Sequence, residues 1–177
     1  MKKLLLLSVL IATMSAEAQT GKAFPVIIGE MLDGKAASLP VKNGKETIVA
    51  WVFSRKAEDA LKKWLNPLYS TFMDKAKSKS PHDMTGSYDV NFYFIPMIGG
   101  IKMIREEFKQ TTDKGFWPYV MDTDKTDMKL QAKVLDIKDK EIPYIMVLDK
   151  TGKIIETQSG AFSEDKLEKI EEACGGD

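Results

Sequence analysis

The segment that most constrains the fold is Glu46–Ser54, with the sequence ETIVAWVFS. After Glu46 it carries no charge, and Thr47, Ile48, Val49, Trp51, Val52 and Phe53 are all β-branched or aromatic. Such a run suits a central strand buried on both faces. A strand of that kind must be covered from above and below by other layers of the same chain.

The rest of the chain offers those layers. Phe24–Met31 and Ala36–Leu39 flank Leu32-Asp33-Gly34-Lys35, and Asp-Gly is a strong turn signal, so Phe24 to Pro40 reads as a β-hairpin. Leu61, Trp64, Leu65, Leu68 and Phe72 recur at helical spacing. Pro67 falls inside that helix and is expected to kink it, because it removes a backbone donor. Lys77 to Ser87 is a polar loop. Tyr88–Ile95 reads as a strand, and Gly99-Gly100 opens a helix carrying Ile101, Ile104, Arg105 and Phe108. Phe116–Met121 reads as a short extended piece. Asp122–Asp136 reads as a turn and a short helix bearing Met128, Leu130, Ala132 and Leu135. Ile142–Leu148, the turn Asp149-Lys150-Thr151-Gly152 and Lys153–Gln158 make a second hairpin. Ser163 caps a last helix whose apolar face is Leu167, Ile170 and Ala173. Strands alternating with helices imply an α/β fold, a mixed central sheet with helices on both faces.

The first eighteen residues carry a targeting pattern. Lys2 and Lys3 precede an apolar run from Leu4 to Ala12, and Ala16-Glu17-Ala18 is a small-x-small cleavage signal. The expected organisation is a signal peptide at 1–18, a short linker at 19–23, one domain at 24–174 and a tail at 175–177. Gln19 would be the first mature residue, and the mature protein would be periplasmic or otherwise extracytoplasmic. No other stretch has the length of a membrane span. The 26 basic and 26 acidic side chains balance, which leaves no bulk basicity for nucleic acid.

Cysteine use is informative in an exported chain. Oxidising compartments permit disulfides, yet Cys174 is the only cysteine among 177 residues. It cannot form an internal bridge. An incidental tail cysteine is the plain reading, with an intermolecular disulfide or a reactive thiol as the sharper ones.

The order Val134-Leu135-Asp136-Ile137, Ile142-Pro143-Tyr144-Ile145-Met146-Val147-Leu148-Asp149, Gly152-Lys153-Ile154-Ile155 and Ser159-Gly160 resembles the thioredoxin superfamily, in its exported thiol–disulfide and peroxiredoxin-like branches. The resemblance implies a thioredoxin-like fold and makes Pro143 the expected cis proline beside the active site. It also implies a groove there that holds extended peptides. Arg55, Lys56, Trp117, Ile142, Pro143 and Tyr144 are its expected lining. A trans bond before Pro143 would count against that groove. The family's chemistry needs a thiol where the first core strand meets the next helix. Here the junction is Ser54-Arg55-Lys56-Ala57-Glu58-Asp59-Ala60-Leu61-Lys62. Depending on register, the cysteine positions fall on Lys56 and Asp59 or on Asp59 and Lys62.

Phe24-Pro25, Gly29, Leu32-Asp33-Gly34-Lys35, Leu39-Pro40, Phe53-Ser54, Trp64 and Pro67 are also similar to the mitochondrial ATP synthase assembly factor family. That family has the same fold without the redox pair. It implies a non-redox, partner-binding role.

Other candidates point to ordinary structure. Asp122-Thr123-Asp124-Lys125-Thr126-Asp127 lacks the glycine and the distal glutamate of a calcium loop. His82 stands alone, without the partners a zinc site or a nucleophile needs. Gly99-Gly100 lacks the Lys-Ser/Thr of a phosphate loop. Lys75 to Lys79 is a basic run suited to a solvated helix end, with weak contact to acidic lipid heads as the minority reading. No metal, cofactor or catalytic residue is expected. The leading expectation is a non-catalytic binding or assembly module for a protein or extended peptide in the cell envelope. The alternative is a thiol–disulfide oxidoreductase or peroxiredoxin-like enzyme using Cys174.

Overall fold

The computed structural model describes residues 19–73, 88–97 and 102–175. The expectations for residues 1–18, Lys75 to Lys79, His82 and Gly99-Gly100 lie outside them. Among the described residues, seven strands and four α-helices follow in order: β1 (Ile27–Met31), β2 (Ala36–Leu39), β3 (Thr47–Trp51), α1 (Glu58–Phe72), β4 (Asn91–Ile95), α2 (Lys102–Thr111), β5 (Met121–Thr123), α3 (Lys125–Val134), β6 (Tyr144–Leu148), β7 (Ile154–Ser159) and α4 (Glu164–Gly175).

The central sheet has the order β4-β3-β6-β7. β3 runs parallel to β4 and antiparallel to β6, with Trp51 opposite Ile95 on one side and Tyr144 on the other. Every residue of β3 and β6 is buried, as their uncharged sequences require of central strands. Alternation along β3 divides the core in two. Val49, Trp51 and Phe53 join Tyr144, Met146, Leu148 and the α3 residues Met128 and Ala132 on one face. Ile48, Ala50 and Val52 join Leu61, Trp64 and Leu68 of α1 and Leu167 and Ile170 of α4 on the other. Helices therefore cover both faces of a mixed sheet.

A second sheet, β2-β1-β5, is antiparallel throughout. β1 passes so close to β5 that a Cβ on Gly29 would overlap the Asp122 carbonyl oxygen. The two sheets meet where Phe94 and Val120 form an isolated parallel bridge. In the β6–β7 turn, Asp149 Oδ1 accepts from Thr151 N, Thr151 Oγ1 and Lys153 N. Gly152 completes that turn at φ +88°, a left-handed conformation that favours glycine.

Several expectations need correction. Phe116–Met121 is not extended: Lys114–Tyr119 is a 3-10 helix, and only Met121–Thr123 is strand. Asp113 accepts from Gly115 N at 2.7 Å to start that turn, and Pro118 has no N–H to give a ladder. Leu130 is 57 % exposed, because the buried stripe of α3 runs through Met128 and Ala132 to Leu135 just past its end, and position 130 points off it. Pro67 falls inside α1, where the sequence pattern places it. The one cis peptide among the described residues is Leu39–Pro40, so the Ile142–Pro143 bond is trans. The chain needs no cis bond to turn into β6. Asp139 already folds it back, accepting from Glu141 N at 2.8 Å through its side chain and from Tyr144 Oη at 2.9 Å through its carbonyl.

Candidate functional site

The carboxyl ends of β3 and β4 lie beside the start of β6 and the start of α1. Ligands of open α/β sheets bind outside such strand ends. Ser54 leaves β3 in extended conformation and leads into a 3-10 turn, Arg55–Ala57, which runs on into α1. No side chain caps this start. The first turn of α1 carries Glu58 and Asp59, and acidic groups there suit the positive end of the helix dipole.

Glu58 is the more constrained of the two. Burial pushes its carboxyl up, against the pull of Arg55 and Lys62 and a hydrogen bond from the Met97 backbone N–H. It thereby ties the head of α1 to Met97, two residues past the end of β4. Ser54 Oγ and Trp51 Nε1, one on each side of Phe53, are buried without hydrogen-bond partners among the described residues.

Lys56 reaches across the site. Its Nζ lies 2.6 Å from Glu141 Oε1, both side chains exposed. The Glu141 hydrogen bond and charge hold the Lys56 ammonium above its ordinary range. In one of the two registers of the expected resemblance, Lys56 stands where sulfur would be. Here that position is an ammonium bonded to the residue two before Pro143.

Beyond Glu141, Ile142 is half-buried and Pro143 buried. Pro143 O accepts from Gly160 N at 2.9 Å. No described residue makes a hydrogen bond to the main-chain N–H or C=O of Ile142. Gly160 O in turn accepts from Trp64 Nε1 at 3.0 Å. Lys166 Nζ donates to Ser159 O at 2.8 Å and Ala161 O at 2.9 Å. α1, α4 and the 159–161 loop thus clamp the backbone that enters β6.

The structure brings Arg55, Lys56, Ile142, Pro143 and Tyr144 to one end of the sheet. Only Arg55, Lys56 and Ile142 offer side-chain surface there. Tyr144 is 1 % exposed, packed edge-on to Phe53 with ring centroids 6.0 Å apart. Trp117 is elsewhere. It packs with the opposite core layer, donates from Nε1 to Thr112 O at 3.2 Å, and has Lys109 and Lys114 over its ring at 5.3 and 5.8 Å. It lines an open cleft of about 460 Å³ with Glu106, Lys109 and Lys114. Glu141, Glu58 and Met97 were missed from sequence. Glu141 had a signal, an acid immediately before Ile142-Pro143 to oppose Lys56.

The single thiol lies far along the chain on α4. Cys174 is half-buried, and its thiol is pushed up to about 12 by burial, with Glu46 and Glu171 adding to the effect. A thiolate is the reactive form, and this environment suppresses it. Among the described residues no group of three or more His, Cys, Asp or Glu side chains is placed to hold a metal.

The fold is thioredoxin-like. The thioredoxin domain of a thiol-disulfide oxidoreductase from Bacteroides vulgatus is similar, with 22% identity, a TM-score of 0.59, and coverage of 88% of this chain and 97% of that one. A thiol:disulfide interchange protein from Bacteroides sp. gives 23% identity, a TM-score of 0.54, and coverage of 92% and 93%. The exposed lipoprotein thioredoxin Etrx1 from Streptococcus pneumoniae gives 17% identity, a TM-score of 0.52, and coverage of 84% and 99%. No protein-family model and no curated protein matches the sequence.

Proposed function

We propose that this is an exported thioredoxin-fold binding module, chaperone-like toward an envelope partner, with no thiol–disulfide exchange of its own. The observation that carries the reading is the Lys56–Glu141 ion pair at the head of α1, where thioredoxin chemistry requires a thiolate. The only thiol is one whose surroundings keep it protonated. The trans bond at Pro143 removes the argument for a peptide groove that the family resemblance supplied. What supports a peptide site instead is local. The main-chain groups of Ile142 have no hydrogen-bond partner among the described residues and lie beside exposed charges, and an extended segment can add to such a backbone by β-augmentation. Cleavage after Ala18 and an extracytoplasmic location belong to the same proposal, supported by the leader pattern and by the exposed lipoprotein among the similar structures.

A second reading has its own support. The similar structures are described as thiol-disulfide oxidoreductases and interchange proteins, which favours a redox enzyme centred on Cys174. Photo-crosslinking in the native envelope tests the binding reading. A crosslinker at position 142 should capture a polypeptide partner, and Ile142→Ala, which keeps the backbone, should still compete for it. Ile142→Pro, which removes the N–H, should not compete. Equal competition by both variants, with both folded by circular dichroism, would refute the site.

A further inference from the structure

Residues 19–24 form a strap docked on the start of β7. Gly21 N donates to Ile154 O at 2.8 Å, Ile154 N to Lys22 O at 2.9 Å and Phe24 N to Gly152 O at 2.9 Å. Ala23 bridges Lys153. Lys22 N also donates to Gln19 O at 3.1 Å, which turns the strap inward at its head. Gln19 is 1 % exposed, and its side-chain Oε1 is buried with no hydrogen-bond partner among the described residues.

The proposed cleavage after Ala18 would create an α-ammonium on this residue. Docked where Gln19 lies here, that charge would be buried, which is strongly unfavourable without a partner. The geometry points to Gln19 as a modification site, where the new terminus cyclises to a pyroglutamyl lactam. The α-ammonium first gives up a proton. The amine nitrogen then attacks Cδ of the same side chain, the N–Cδ bond forms, and the Cδ–Nε2 bond breaks. The departing ammonia takes up the proton, so the positive charge leaves as ammonium. A neutral five-membered lactam stays behind. The step needs no oxidant, metal or cofactor. Like terminal acetylation it deletes a terminal charge, which lets the head of the strap stay docked against β7.

This inference rests on the proposed export and cleavage, and the test separates the two. The full chain with its leader is expressed, exported and purified, and then its intact mass is measured and Edman sequencing attempted. The expected product has the mass of residues 19–177 less one ammonia and yields no Edman signal. Pyroglutamyl aminopeptidase should release the lactam only after denaturation, and Gln19→Asn should give an open, readable terminus. A chain that starts at Gln19 with full mass and a readable terminus overturns the cyclisation and leaves the export reading standing. A chain that keeps its leader or starts elsewhere overturns both. Equal release of the lactam from native and denatured protein overturns the docked strap.

Discussion

The head of α1 and the tail of α4 are opposites. At the head, a strand end, an uncapped helix start and exposed side chains make the kind of place where a fold can lower a thiol's pKa. The chain puts a lysine there and bonds it to Glu141. At the tail, apolar packing and the carboxylates Glu46 and Glu171 make a place where a thiolate is disfavoured. The chain puts its one thiol there. The fold is thioredoxin-like, and on the proposed reading the residues at the two ends decide against thiol chemistry.

The sharpest contrast is in thiol reactivity. With its pKa pushed up to about 12, Cys174 should hold on the order of a thousand-fold less thiolate at pH 8 than a free cysteine of pKa about 8.5. Alkylation of the native protein should be slower by about that factor and should recover on unfolding. A Lys56→Cys, Cys174→Ser protein should be alkylated far faster than wild type, because its thiol stands at the exposed helix head. Equal rates would break the comparison.

Trp64→Ala should be the most damaging change to the clamp. Trp64 is fully buried and donates to Gly160 O, so the loss is about 3–5 kcal/mol by denaturant unfolding. Trp64→Phe should retain most of the packing but leave Gly160 O without its donor, at a smaller loss of about 1–3 kcal/mol.

Glu58 gives a pH test. Its carboxyl is raised in the fold, so folding favours the protonated form. The stability that this contributes is complete below the ordinary carboxylate range and is lost as pH rises through the raised folded value. Wild type should therefore lose ground to Glu58→Gln as pH climbs through that range, in melts at matched ionic strength. The reverse trend would mean that the helix dipole and Arg55 outweigh burial.

Lys56→Ala should be nearly silent for stability, since exposed ion pairs contribute little. Its effect should appear in the crosslinking yield at position 142. A large drop in melting temperature would make the pair structural.

Local pattern made much of the fold legible. The uncharged β3, the β6–β7 hairpin and the stripe of α1 need only periodicity and turn chemistry to be seen. Phe116–Met121 has strand-like residues, but the Asp113 side chain and Pro118 impose a turn that propensity does not register. Leu130 is apolar yet lies off the stripe that packing selects. The site was less legible. Lys56 and Glu141 are far apart in the chain and meet only through the β3–β6 pairing. The Ile142–Pro143 bond is trans and follows the Asp139 turn, and Trp117 packs with the opposite core layer from Ile142 and Tyr144. A resemblance transfers a site only as far as its local turns are shared.

The most direct test of the central claim is thiol–disulfide exchange by the purified mature protein. Incubated with insulin and dithiothreitol, and separately with peroxide, it should give no turnover above the protein-free background. Turnover that disappears in Cys174→Ser would contradict the account and establish the redox reading.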